Sequence, residues 1–158
     1  MNSPLNDDRP TVVAGFGSPH GDDQAGWRLA AMLQQRTHFP ARVIAVIEAT
    51  ELFESLQGCQ RLIIVDACHS GRKPGSITQL RWPDSRIGAR HGQSTHGLGV
   101  ADTLRLAKEL DCLPMVVDVI GIEIADCTPA RAISSAVLHA VVKLEARIAK
   151  ELCEVAHA

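Results

Sequence analysis

Apolar residues along this chain fall into two rhythms. Short β-branched runs alternate with stretches in which apolar positions recur every three or four residues. TVVAGF (Thr11 to Phe16), RVIAVI (Arg42 to Ile47), LIIVDA (Leu62 to Ala67) and MVVDVIGIEI (Met115 to Ile124) read as strands. LIIVDA is apolar on both faces, as a central strand of a parallel sheet under two helical layers must be. ITQLRW (Ile77 to Trp82) alternates in the manner of a partly exposed strand, and a polar loop follows from Pro83 to Thr95. Helical spacing runs from Asp23 to about Gln35, with Trp27, Ala30, Ala31 and Leu33 on the apolar face. It returns in ELFESLQG, ended by Gly58, and from Gly97 to Leu110. A last helix is expected to start with Thr128 as cap and Pro129 in its first position. Ile133, Val137, Val141, Leu144, Ile148 and Leu152 then keep one face apolar.

Alternating β and α units with short connections imply a three-layer α/β/α sandwich around a mostly parallel, twisted sheet. The 158 residues suit one domain spanning 1–158, its first ten residues a flexible N-terminus. No internal repeat or linker interrupts it. In such folds ligands bind beyond the C-terminal ends of strands, where the strand order switches.

Composition narrows the function. With 46% apolar and 22% charged residues the chain has a globular, soluble make-up. A net charge of −2 leaves no basic stripe for phosphates, and 3% aromatics with no Tyr leave no stacking platform, so nucleic acid is not an expected partner. MNSPLNDDRP lacks the pattern of a signal peptide, and no apolar run is long enough to span a bilayer. Five cysteines, with no CxxC pair, argue against a disulfide framework or structural zinc and suit a reducing cytoplasm.

The candidate chemistry begins with GFGSPHGDDQAG, from Gly15 to Gly26. It resembles a phosphate loop, but the spacing departs from G-x-G-x-x-G, because position 20 is His. Two carboxylates at the helix start would also repel a pyrophosphate, although Glu48 stands where a ribose ligand would be sought. Asp22 is expected to cap the helix, which leaves Asp23 free to face the cleft. Asp66 closes the apolar run LIIV at the carboxyl edge of a central strand, where an unpaired charge is costly. His96, in STHGLGVADTL, stands at a loop-to-helix junction expected on the same edge, with Gly97 and Gly99 beside it. Two carboxylates and an imidazole form a donor set suited to nickel, zinc or cobalt. Cys68 reads as a buried or loop residue and His69 as a substrate contact. No HExxH helix is present.

In combination these segments resemble the hydrogenase maturation endopeptidases, which trim the C-terminus of the large-subunit precursor of NiFe hydrogenases. GFGSPHGDDQAG resembles the family's first signature, LIIVDACHSGRKPGSI its second and STHGLGVADTLRLA its third, while VIGIEIADCTP with a long final helix resembles its ending. The resemblance implies that Asp23, Asp66 and His96 are the metal-contacting and catalytic residues. It also implies that the metal is nickel already inserted in the precursor, the partner being that precursor. Two departures stand out. The family's first acid is more often Glu, so Asp23 has one methylene less reach, and Ser18 stands where Asn is common. Two other readings stand beside it, a metal-binding chaperone that uses the same three residues but does not cut, and a small nucleotide-binding domain built on the glycine loop.

Overall fold

The computed structural model describes residues 11–88, 99–125, 127–128 and 131–157. The β-branched runs become β1 (Thr11–Phe16), β2 (Arg42–Val46), β3 (Arg61–Cys68), β4 (Ile77–Arg81) and β5 (Val116–Glu123). They form one sheet in the order β2-β1-β3-β5-β4. The first three and β5 run parallel, and β4 lies antiparallel on the outer edge of β5. Between them lie α1 (Ala25–Gln34), α2 (Ala49–Ser55), α3 (Val100–Glu109) and α4 (Ser135–Ala156), with a 3-10 turn, Gly21–Gln24, leading into α1.

Alternation along the strands divides the core into two layers. Val13, Ile63, Val65, Ile120 and Ile122 point to one face and pack under α1 and α4 through Leu29, Leu33, Val141, Leu144 and Ile148. Val12, Ala14, Leu62, Ile64, Val117 and Val119 point to the other, under Leu52 of α2 and Val100 and Leu104 of α3. β3 and β5 are apolar on both sides because both sides are covered. The expected sandwich is therefore the observed one. No helix among the described residues is long and apolar enough to cross a membrane.

Helix α1 approaches the strands closely at two glycines. A Cβ on Gly26 would sit 2.0 Å from the Phe16 carbonyl oxygen and 2.7 Å from that of Val65. One on Gly15 would sit 2.0 Å from the Gly26 carbonyl oxygen. The first turn of α1 thus rests directly on the backbones of β1 and β3, a distance that no side chain permits. The buried face of α1 is Leu29, Ala30 and Leu33, while Ala31, expected on that face, is exposed.

The start of the last helix departs from its sequence signals. Thr128 does not open α4: its carbonyl accepts the Arg131 N–H at 3.3 Å in a turn, and Pro129 lies outside the described residues. The helix begins at Ser135, after an extended Ser134 with ψ of 153°. Tertiary bonds explain the delay. The Arg131 carbonyl accepts from the Gly21 N–H at 3.1 Å and from Gln24 Nε2 at 3.3 Å, and the Ser134 N–H donates to Asp22 at 2.6 Å. Those partners hold this stretch against the 3-10 turn.

At the N-terminal edge of the sheet, buried Asp118 accepts from Arg61 at 2.9 Å and from Arg81 at 2.7 Å, and Arg61 also pairs with Glu151 at 2.7 Å. Three strands and α4 are tied together there. Replacing Gly26 by Ala should be among the costliest small substitutions in the chain, because its neighbours are strand backbone rather than yielding side chains. Urea unfolding should show a loss of about 1–3 kcal/mol or more. Gly99→Ala, with nothing within 4 Å of the added carbon, should stay within about 1 kcal/mol of the parent. Equal losses for the two would contradict this packing.

Candidate active site

The strand order changes direction between β1 and β3: the chain leaves β1 for β2 on one side, and β3 has β5 on the other. The crevice beyond their C-terminal ends is the expected ligand position. Asp23 and Asp66 both stand there. Asp23 belongs to the 3-10 turn that follows β1, and its backbone is held on both sides. Its N–H donates to the His20 carbonyl at 3.0 Å, and its carbonyl accepts the Ser18 N–H at 3.2 Å. Gly17 makes this possible, since a Cβ there would lie 2.5 Å from the Asp23 carbonyl oxygen and 3.2 Å from the Trp27 ring. Trp27 in turn donates its indole N–H to the Val46 carbonyl at 3.1 Å, fixing the turn to the end of β2.

Asp66 lies near the end of β3, in register with Gly121 of β5, on the face covered by α2 and α3. It is half-buried. Burial pushes its carboxyl up to about 7, the negative charge of Asp23 adds to the rise, and a backbone hydrogen bond from Ala67 opposes it. The two acids therefore share one field. Neither has an ion-pair partner among the described residues. Like charges so placed are relieved by a proton or by a cation.

His96 lies outside the described residues. Helix α3 follows it in sequence, starting at Val100 behind Gly99. The C-terminal end of α3 leads through a short connection into the N-terminal end of β5, a strand parallel to β3. The N-terminus of α3 consequently lies toward the same edge as Asp66. Among the described residues no group of three or more His, Cys, Asp or Glu is placed to hold a metal, and Asp23 and Asp66 supply two candidate donors.

Asp22 does not cap the helix. It is fully buried, and no side-chain cap bond forms at the 3-10 turn or at α1. Its carboxylate instead accepts the Ala125 N–H at 2.8 Å, the Ser134 N–H at 2.6 Å and the Ser134 hydroxyl at 3.0 Å. These partners are more than a hundred residues away, and nothing local announces them.

Glu123 was the residue that pattern reading passed over. It ends β5 opposite Cys68 and is buried. Its carboxylate accepts from the Ser70 N–H at 2.9 Å, the Ser70 hydroxyl at 2.7 Å and the Gly71 N–H at 3.0 Å, so it pins the turn after β3 beside Asp66. Burial alone would raise its pKa, but these donors outweigh burial and hold it below the usual carboxylate range. The signal was available: an acid closing an apolar strand, the same reasoning that singles out Asp66. Burial, then the neighbouring Glu123, pushes the Cys68 thiol up to about 12, so it stays protonated and is no nucleophile. Its sulfur occupies the space left by Gly121, where a Cβ would lie 2.9 Å away. His69 is exposed on the rim.

The glycines of the first loop serve the chain itself. The space a dinucleotide loop would keep open at Gly17 is filled by the Asp23 carbonyl, and Glu48 is exposed at the start of α2 without a side-chain cap bond.

The chain belongs to the hydrogenase maturation protease family, whose model (HycI, hydrogenase maturation protease) matches residues 27–151. It is accordingly a peptidase. The matched stretch contains Asp66 and His96, and Asp23 lies just before it. Solved structures repeat the fold. The hydrogenase maturating endopeptidase HybD of E. coli superimposes with a TM-score of 0.75 at 23% identity, covering 92% of this chain and 93% of that one. The NiFe hydrogenase maturation protease HybD of Thermococcus kodakarensis gives 0.76 at 23% identity, with 90% and 98% covered. An endopeptidase from Escherichia coli gives 0.77 at 24% identity, with 92% and 93% covered. No curated protein sequence matches the chain.

The raised Asp66 carboxyl has a consequence for the metal-free protein. Between about pH 4, where an unfolded Asp ionises, and about 7, the native state holds a proton that the unfolded chain has released. Stability should therefore fall as pH rises through that window and level off above it. Asp66→Asn should abolish this slope, so that the variant gains on the parent at pH 8 relative to pH 4. Thermal melts across that range provide the check, and parallel curves for parent and variant would refute the assignment.

Proposed function

We propose that this peptidase removes a C-terminal peptide from the nickel-loaded precursor of a NiFe hydrogenase large subunit, with Asp23, Asp66 and His96 meeting the nickel that the precursor carries. The observation that carries this reading is the acid pair at the switch point. Two carboxylates share a field there with no cationic side chain paired to them among the described residues, in a family of hydrogenase maturation proteases. A divalent ion arriving with the substrate relieves their repulsion, and it can do so only when the precursor is loaded. Recognition of the finished metal centre and licence to cut then become one event.

His96 supplies the nitrogen donor of the set, and its position in sequence just before α3 fits that role. A carboxylate–carboxylate–imidazole set suits nickel and leaves coordination positions for the precursor's own ligands. The ion anchors the precursor and supplies Lewis-acid polarisation near the scissile bond. Asp23 and Asp66 make this an aspartate-dependent hydrolase in the sense that acids, not a thiolate, frame the reacting centre. The free thiols at 59, 68, 112, 127 and 153 suit a reducing compartment, and we place the reaction in the cytoplasm.

Incubation with nickel-loaded precursor should release a C-terminal peptide, seen as a mass loss, and unloaded precursor should remain intact. Alanine at Asp23, Asp66 or His96 should slow cleavage by about a hundredfold or more. Binding of loaded precursor without any mass loss would instead identify a metal-binding chaperone. Undiminished cleavage by all three variants would remove these residues from the site.

A further inference from the structure

Two neighbouring acids in the first loop have opposite surroundings. Asp23 faces the cleft, whereas Asp22 is fully buried and accepts hydrogen bonds from Ala125 and Ser134, in the segment between β5 and α4. We propose that Asp22 is a positioning residue for the reaction: it locks the 3-10 turn to that distant segment and so sets where the Asp23 carboxylate stands relative to Asp66. The inference rests on the reading of Asp23 and Asp66 given above.

A four-residue 3-10 turn has few bonds of its own, and its i→i+3 geometry is weak. Here the turn is held by outside partners. The Gly21 N–H and the Gln24 amide both donate to the Arg131 carbonyl, and Asp22 receives the N–H groups of Ala125 and Ser134 with the Ser134 hydroxyl. An Asn in its place would turn an NH2 group toward at least one of these N–H donors. A side chain with an acceptor oxygen on each arm is therefore what this junction requires. On the far side, the Ser18 N–H and the missing Cβ of Gly17 hold the Asp23 carbonyl. Asp23 is caught between the two clamps, with its side chain left free of both. Loosening the Asp22 clamp releases the turn while leaving Asp23, Asp66 and the sheet chemically intact. A displacement of the order of 1 Å at a reacting centre costs up to about a hundredfold in rate.

The test uses the full chain with nickel-loaded precursor in single-turnover cleavage, alongside amide hydrogen exchange of the enzyme alone. Asp22→Asn should slow cleavage about tenfold or more and accelerate exchange at the Gly21 and Asp23 amides, with the β3 and β5 amides unchanged. Ser134→Ala, which removes only one bond to the same carboxylate, should give a smaller loss in both readouts, and Ser134→Thr, which keeps the hydroxyl, should restore them. Glu145→Gln, which weakens the α1–α4 ion pair with Arg36, lowers stability elsewhere and should leave the cleavage rate at the parent value. Cleavage by Asp22→Asn at the parent rate overturns the proposal, and so does a loss no greater than that of Glu145→Gln at equal stability. Should Asp22→Asn fail to fold, the Ser134 pair decides alone. Should the parent itself not cut, the reading under Proposed function fails, and the exchange pattern alone then supports or overturns the clamp.

Discussion

The close seating of α1 on the backbones of β1 and β3 is the contact on which the site depends. Gly15 and Gly26 remove the two side chains that would hold helix and strands apart, and the helix descends until carbonyl oxygens of β1 and β3 stand where a Cβ would be. That descent brings the turn ahead of α1 over the end of β3. Without it Asp23 would project above the sheet, out of reach of Asp66. A geometry that nucleotide-binding folds use to approach a pyrophosphate serves here to bring one acid to another.

The sheet carries buried acids at both edges and treats them oppositely. At the N-terminal edge Asp118 is buried between two arginines, and its charge is neutralised by partners from β3 and β4. At the C-terminal edge Asp66 is left facing Asp23, and burial with like charge drives its carboxyl toward neutrality. The first arrangement consolidates strands. The second leaves two like charges close together with a raised carboxyl pKa, an environment more typical of functional sites than of structural ones. Asp22 and Glu123 fall between these cases. Each is buried and saturated with hydrogen bonds, each next to a candidate site residue, Asp22 beside Asp23 and Glu123 beside the turn after Asp66. The cleft is thus framed by two acids that face inward and two that hold its walls.

The chain by itself determined the layers. Period-2 and period-3.6 patterns placed five strands and four helices, because burying an apolar face is a local demand that each segment meets with its own residues. It also pointed to Asp66, an acid ending an apolar strand, and to Asp23, the second of two adjacent acids after a glycine-rich turn. Glu123 was legible by the same rule. Where segments are set by distant partners, local pattern misleads. Thr128 and Pro129 read as a sound helix start, yet α4 begins only at Ser135, because the Asp22 carboxylate bonds the Ser134 N–H and the Gly21 N–H bonds the Arg131 carbonyl. Asp22 has the look of a helix cap and instead bonds to residues 125 and 134. Only the tertiary structure decided those roles. A buried carboxylate takes whichever N–H groups the fold brings within 3 Å, and separation along the chain has no bearing on which those are.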